Sequence, residues 1–192
     1  MDNPEFDIAI TGAGPVGSAL ALLLARHAPD PGRIALIGKH FQDDTEAGGL
    51  PVPDNSPDPR SLAMNHGSRM LLEQLNAWPN KAASIETVHV SQRGRLGRTL
   101  IRHDEMGVPR LGSVVAYPDL VAVLHEALAA SGVTLIEAPY VRTLAARQAH
   151  LNAAGRDIVS ALAVQADGHQ PDGLQREYNQ HAVLATVRAS QP

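Results

Sequence analysis

The 192-residue chain has no cysteine, which excludes disulfide scaffolds, thiolate metal sites and a thiol nucleophile within it. It has no basic excess: the formal charge is −4, against the positive balance of a dedicated nucleic-acid binder. It has no long apolar run. The longest, Ala19 to Ala25, falls far short of the roughly 20 residues that span a bilayer. The start, Met1–Asp7, carries Asp2, Glu5 and Asp7 rather than the positive region of a secretory signal, so a cytoplasmic protein is expected. The nine histidines show neither H-x-x-x-H nor H-E-x-x-H spacing, so no metal site is expected. No serine lies in a G-x-S-x-G elbow, which leaves a serine hydrolase without its nucleophile motif.

What is present is globular material, 44% hydrophobic and long enough to bury a core. Phe6 to Thr11 (FDIAIT) reads as a short buried strand that runs into a glycine turn. Pro15 to His27 then places Leu20, Leu23 and Leu24 at helical spacing, and Arg33 to Ile37 is a second apolar run. Strand, turn, helix and strand in this order predict a right-handed βαβ unit and a parallel sheet. Phe41 to Arg60 holds Pro51, Pro53, Pro57 and Pro59 and reads as a surface loop. A helix is predicted over Ser61 to Leu75, and strands over Ile85 to Ser91 and Thr99 to Ile101 around the turn glycines Gly94 and Gly97. Val114 and Val115, a helix from near Asp119 ending before Gly132, and the strand Val133 to Glu137 suggest a second βαβ-like segment. Ile158 to Val164 and Ala182 to Val187 are also strand-like. The expected class is α/β: a Rossmann-like domain with a parallel sheet and an inserted β-hairpin region.

Gly12-Ala13-Gly14-Pro15-Val16-Gly17 matches G-x-G-x-x-G after a strand and at the mouth of a helix, the context that gives the motif meaning. Gly12 permits the tight turn, Gly14 lets backbone approach a pyrophosphate, and Gly17 lets helix and strand pack closely. Anionic phosphate suits the free amides and the dipole at the helix N-terminus. The bland alternative is a glycine-rich turn with no ligand. The fingerprint also asks for an acid at the end of the second strand to hold a ribose, and Gly38 stands there. Loss of that charged hydrogen bond, about 1.5–3 kcal/mol, would weaken binding roughly ten- to a hundredfold. On this reading a glutamate restored at position 38 should raise affinity. Asp43, Asp44 or Glu46 either reach the ribose from the loop or are simply solvated. Lys39 either suits a 2′-phosphate or is a surface lysine.

Four stretches resemble the FAD-dependent aromatic hydroxylases of ubiquinone biosynthesis, the 2-polyprenyl-6-methoxyphenol hydroxylase group. They are DIAITGAGPVGSALALLLAR (7–26), DPRSLAMNHGSRMLLEQLNAW (58–78), IETVHVSQRGRLGRTLI (85–101) and GVPRLGSVVAYPDLVAVLHEAL (107–128). A fifth, REYNQHAVLATV (176–187), resembles the segment leading into the substrate sheet of that group. The resemblance implies that residues 1–192 are the N-terminal portion of an incomplete FAD-binding domain, with the substrate sheet starting near 181–192. It places Gly12, Gly14, Pro15, Val16 and Gly17 on the phosphates. It places Arg60, in DPRSLA, near the flavin, unless that arginine pairs with Asp58. Asp167-Gly168 falls at the group's Asp-Gly motif, which helps hold both the flavin pyrophosphate and the nicotinamide cofactor, although a lone Asp-Gly is otherwise just a turn. His169-Gln170-Pro171 departs from the small residues usual there. Ala116 and Tyr117 stand where the group tends to carry a polar or charged side chain.

The activity implied is monooxygenation: NAD(P)H reduces FAD, and O₂ then hydroxylates a polyprenylated phenol. The partners implied are that phenol and other ubiquinone-biosynthesis enzymes, with at most peripheral contact with the inner membrane. Residues facing the substrate would come mostly from beyond Val187, so no catalytic acid or base is assigned and the chain by itself is expected to be inactive. Two other classes stay open: a non-catalytic dinucleotide-binding fragment or interaction module, and an NAD(P)-dependent dehydrogenase, for which no Tyr-x-x-x-Lys pair exists. Arg93, Arg95, Arg98 and Arg102 lack the interleaved aromatics that stack bases and read as a solvated hairpin edge, with no nucleic-acid partner.

Overall fold

The computed structural model describes residues 4–39, 60–138, 141–144, 149–168 and 178. The chain divides into two compact units, Met1–Ser56 with Leu124–Pro192, and Pro57–Val123. Among the described residues no helix is long and apolar enough to cross a membrane.

The first unit opens with β1 (Phe6–Thr11), helix α1 (Pro15–Ala25), one 3₁₀ turn (Pro31–Arg33) and β2 (Ile34–Gly38). The bounds of β1 agree with the sequence reading, whereas α1 stops two residues before His27. β2 is buried on both faces from Ile34 to Ile37, as a central parallel strand must be. The Arg33 guanidinium donates to Asp7 Oδ1 at 2.7 and 2.9 Å and to the Pro4 carbonyl at 3.2 Å, tying the entry of β2 to β1. That hydrogen bond holds the Asp7 carboxyl below its ordinary value.

The second unit contains β3 (Ser61–Asn65), α2 (His66–Gln74), β4 (Ala83–Ile85), β5 (Thr87–Ser91), β6 (Arg98–Arg102) and β7 (Gly112–Ala116). Helix α3 (Tyr117–Ala129) begins here, and the unit boundary falls within it. The strands make a three-stranded antiparallel sheet, β3-β7-β4, and a separate β5–β6 hairpin. The hairpin matches the expected inserted region, and Arg102 pairs with Asp104 at 3.1 Å on its surface.

The chain returns to the first unit through β8 (Thr134–Glu137), β9 (Val141–Leu144), β10 (Ala149–Ala153) and β11 (Arg156–Gln165). The six-stranded sheet runs β8-β2-β1-β11-β10-β9. Its first four strands are parallel, and β10 and β9 extend it as an antiparallel meander. Phe6, Ala9, Ala35, Ile37, Leu151 and Ile158 form one buried apolar cluster. Ile10, Leu36, Leu124 and Leu128 are also almost fully buried. This is the expected α/β, Rossmann-like sheet.

Three expectations are corrected. The helix predicted over Ser61–Leu75 starts only at His66. Ser61–Asn65 pairs with β7, burying Leu62 and Met64 in part on every second position, and the Asn65 side chain caps α2 by accepting from Ser68 N at 2.8 Å. The strand predicted over Ile85–Ser91 divides at Glu86, because β4 bonds to β7 while β5 bonds to β6. The second βαβ-like segment is no βαβ unit: β7 lies in the three-stranded antiparallel sheet, and β8 joins the other sheet beside β2. Asp43, Asp44, Glu46, Asp58, His169 to Pro171, the strand at Ala182–Val187 and the substrate-sheet start near 181–192 lie outside the described residues.

Candidate functional site

Strand order places the site. From β1 the chain winds outward through β2 to β8, then fills the other side of β1 through β9, β10 and β11. The order therefore reverses at β1 and β11, and open α/β sheets bind ligands outside the strand C-termini at such a switch point. The glycine turn emerges there. Gly12 N donates to the Ile37 carbonyl at 2.8 Å and Ala166 N donates to the Thr11 carbonyl at 2.7 Å, which suspends the turn between the ends of β2 and β11.

Each glycine of the turn meets a different constraint. Gly12 has φ +100°, and a Cβ there would lie 2.4 Å from Asp167 N, so backbone from a segment 155 residues away occupies the side-chain position. At Gly17 a Cβ would lie 1.9 Å from the Gly12 carbonyl oxygen. Gly14 is different. Its φ of −71° suits any L-residue and a Cβ would find nothing within 4 Å, so neither packing nor backbone geometry requires glycine.

The space beside Gly14 faces the start of α1. Pro15 occupies the first turn, no side chain caps the helix, and no acidic residue lies in that turn. Ser18, 1% exposed, spends its hydroxyl on the Ala13 carbonyl at 3.0 Å, and Val16 is 71% exposed. A helix start of this kind attracts an anion through its amides and its positive dipole end. The donor set and the opening at Gly14 fit a dinucleotide pyrophosphate.

Asp167 and Gly168 follow β11 directly, so the register Thr11↔Gln165 carries them to the turn. Gln165 Nε2 donates to Asp167 Oδ1 at 3.1 Å, and Gly168 has φ +72°, a conformation that favours glycine. The sequence-predicted residues Gly12, Gly14, Pro15, Val16, Gly17, Asp167 and Gly168 thus share one end of one sheet. Arg60 lies in the second unit. Its guanidinium carbon stands 4.0 Å from the centroid of the Tyr117 ring, and its carbonyl accepts from Tyr117 N at 3.0 Å. Cation–π stacking orients such a group, so Tyr117, noted in the sequence only as a departure, is the platform that holds Arg60.

Gly38 changes meaning. A Cβ at Gly38 would lie 2.7 Å from Ala13 N and 2.6 Å from Ala13 Cβ. The glycine turn has closed onto the position where the fingerprint places its acid. Restoring glutamate there would push the turn aside, which overturns the expectation of a gain in affinity. Beside this contact lies a cavity of about 350 Å³ bounded by Ala13, Leu36, Gly38, Lys39, Leu128 and Glu137, among others. Glu137 carried no sequence motif. Only its place at the end of a third parallel strand could have singled it out.

No protein-family model matches the chain. Among solved structures it is similar to the tetrameric form of 2-methyl-3-hydroxypyridine-5-carboxylic acid oxygenase, with TM-score 0.56 and 16% identity over 86% of this chain and 40% of that one. It is also similar to CtdE in complex with FAD, with TM-score 0.54 and 15% identity over 85% of this chain and 38% of that one. The flavin-dependent brominase Bmp2 matches with TM-score 0.55 and 15% identity, again over 85% of this chain and 38% of that one. The chain thus spans about two fifths of the length of each. At these identities the likeness establishes architecture alone: the chain shares the Rossmann-like α/β fold of these proteins.

Proposed function

We propose that the chain is the FAD-binding portion of a flavin-dependent monooxygenase that uses NAD(P)H and hydroxylates a polyprenylated phenol in ubiquinone biosynthesis. The observation that carries the flavin half of this reading is the glycine turn, in which close packing requires Gly12 and Gly17 while neither packing nor backbone geometry requires Gly14. The substrate half rests on the resemblance of residues 58–78, 85–101 and 107–128 to the phenol hydroxylases.

FAD, once reduced by NAD(P)H, supplies the O₂ activation and oxygen-atom transfer to an electron-rich ring. The chain's own residues bind and orient. The first free amides of α1, those of Val16 and Gly17 behind Pro15, which has no N–H of its own, would hold the pyrophosphate. Gly12 and Gly17 keep the turn tight enough to present those amides, and Asp167-Gly168 closes the far side of the phosphate site. Arg60, steadied by Tyr117, is assigned to the flavin. The lipid-soluble tail of the substrate calls for peripheral contact with a membrane or with neighbouring enzymes of the same route.

Desalting the purified chain after incubation with FAD tests the flavin half. Flavin absorbance should travel with the protein, and NADH or NADPH should bleach it under anaerobic conditions. A protein that emerges colourless overturns the reading.

A further inference from the structure

We propose that Glu137, at the end of β8, supplies the carboxylate that accepts hydrogen bonds from the ribose hydroxyls of the adenosine half of the dinucleotide. The proposal rests on the FAD reading above and identifies which residue of this chain does what the end of β2 cannot. The contact between Gly38 and Ala13 leaves no room for a side chain at position 38. The parallel register sets Gly38 directly beside Glu137, one strand over, a step of roughly 4.8 Å. Ala138 N donates to the Gly38 carbonyl at 2.8 Å, which fixes that register at the strand ends.

The two residues also share a cavity. Leu36, Leu128 and Ala129 give its lining apolar surface, and Glu137, Lys39 and His125 add polar groups to it. Its volume, about 350 Å³, falls at the small end of ligand sites, suited to a nucleoside rather than a whole dinucleotide. Ala13 of the phosphate-binding turn lines the same cavity. A dinucleotide whose pyrophosphate sits on α1 therefore has its sugar within reach of this wall, and the hydroxyl pair needs an acceptor there.

The test compares the wild type and Glu137→Gln by quenching of FAD fluorescence, with ADP and 2′-deoxy-ADP as competitors. Glu137 is exposed, and melting curves verify that the variant folds. FAD affinity should fall roughly 10- to 100-fold in Glu137→Gln. The wild type should prefer ADP to 2′-deoxy-ADP, and the variant should lose that preference. A wild type that binds FAD together with a variant that binds it equally well overturns the Glu137 assignment alone. A wild type that takes up no FAD overturns the flavin reading and this assignment together.

Discussion

Gly14→Ala separates a glycine kept for a ligand from glycines kept for the fold. Its backbone, at φ −71° and ψ −179°, accepts an L-residue, and the new Cβ meets no atom within 4 Å. Two small stability effects oppose one another. Alanine is a poorer N-cap than glycine by about 0.5–1 kcal/mol, whereas the stiffer unfolded chain returns about 0.4–1 kcal/mol. The net change stays within about 1 kcal/mol, or about 2–4 °C of Tm in a chain of this size. Gly17→Ala differs, because its Cβ would stand 1.9 Å from the Gly12 carbonyl oxygen and must displace the turn. Overpacking of that kind costs about 1–3 kcal/mol. For FAD, a methyl at position 14 fills the path of the pyrophosphate to the α1 amides, with a loss of roughly ten- to a hundredfold in affinity. Melting curves and FAD titration of both variants decide the matter. Gly14→Ala should melt like the wild type yet bind poorly, and Gly17→Ala should be impaired in both. A Gly14→Ala protein that binds FAD like the wild type, or is destabilised as much as Gly17→Ala, would refute the reasoning.

Other perturbations test neighbouring steps. Gly38→Glu should lower both Tm and FAD affinity, since its Cβ meets the backbone of Ala13, with a stability cost of about 1–3 kcal/mol; tighter FAD binding in titration would refute the clash. Asn65→Ala removes the cap that accepts from Ser68 N and should cost about 1 kcal/mol in chemical denaturation, whereas a residue inside a helix, as the sequence pattern suggested, would cost nothing. The Asp7 carboxyl, lowered by its hydrogen bond from Arg33, contributes stability above the ordinary carboxylate range and loses it as pH falls through its lowered value. Asp7→Asn should therefore be less stable than the wild type at neutral pH, with the difference closing in acid. A difference that stays constant across that range contradicts the assignment.

Much of the first unit was legible because its signals are local. FDIAIT, the three turn glycines and the leucines of α1 lie within one short window, and β2 declares itself as an apolar run buried on both faces. Ser61–Asn65 reads as helix because Leu62 precedes the leucines of α2, yet at nine residues from Leu71 it would stand on the opposite helical face. The pairing partner that makes it a strand, Gly112–Ala116, is remote in sequence. Sheet membership of β7 and β8 was illegible for the same reason. The meeting of Gly12 with Asp167 depends on the register of β1 against β11, which only the family resemblance hinted at. Gly38 was read as a missing ligand when its local meaning is steric. A sequence names the residue but not the backbone atom 2.7 Å away.

The central claim is that FAD binds this chain through its pyrophosphate at the start of α1. Equilibrium dialysis of the purified chain against FAD and against riboflavin, which shares the ring but lacks the phosphates, tests it most directly. Stoichiometric retention of FAD and little retention of riboflavin are expected. Equal affinity for the two, or no retention of FAD, would contradict it.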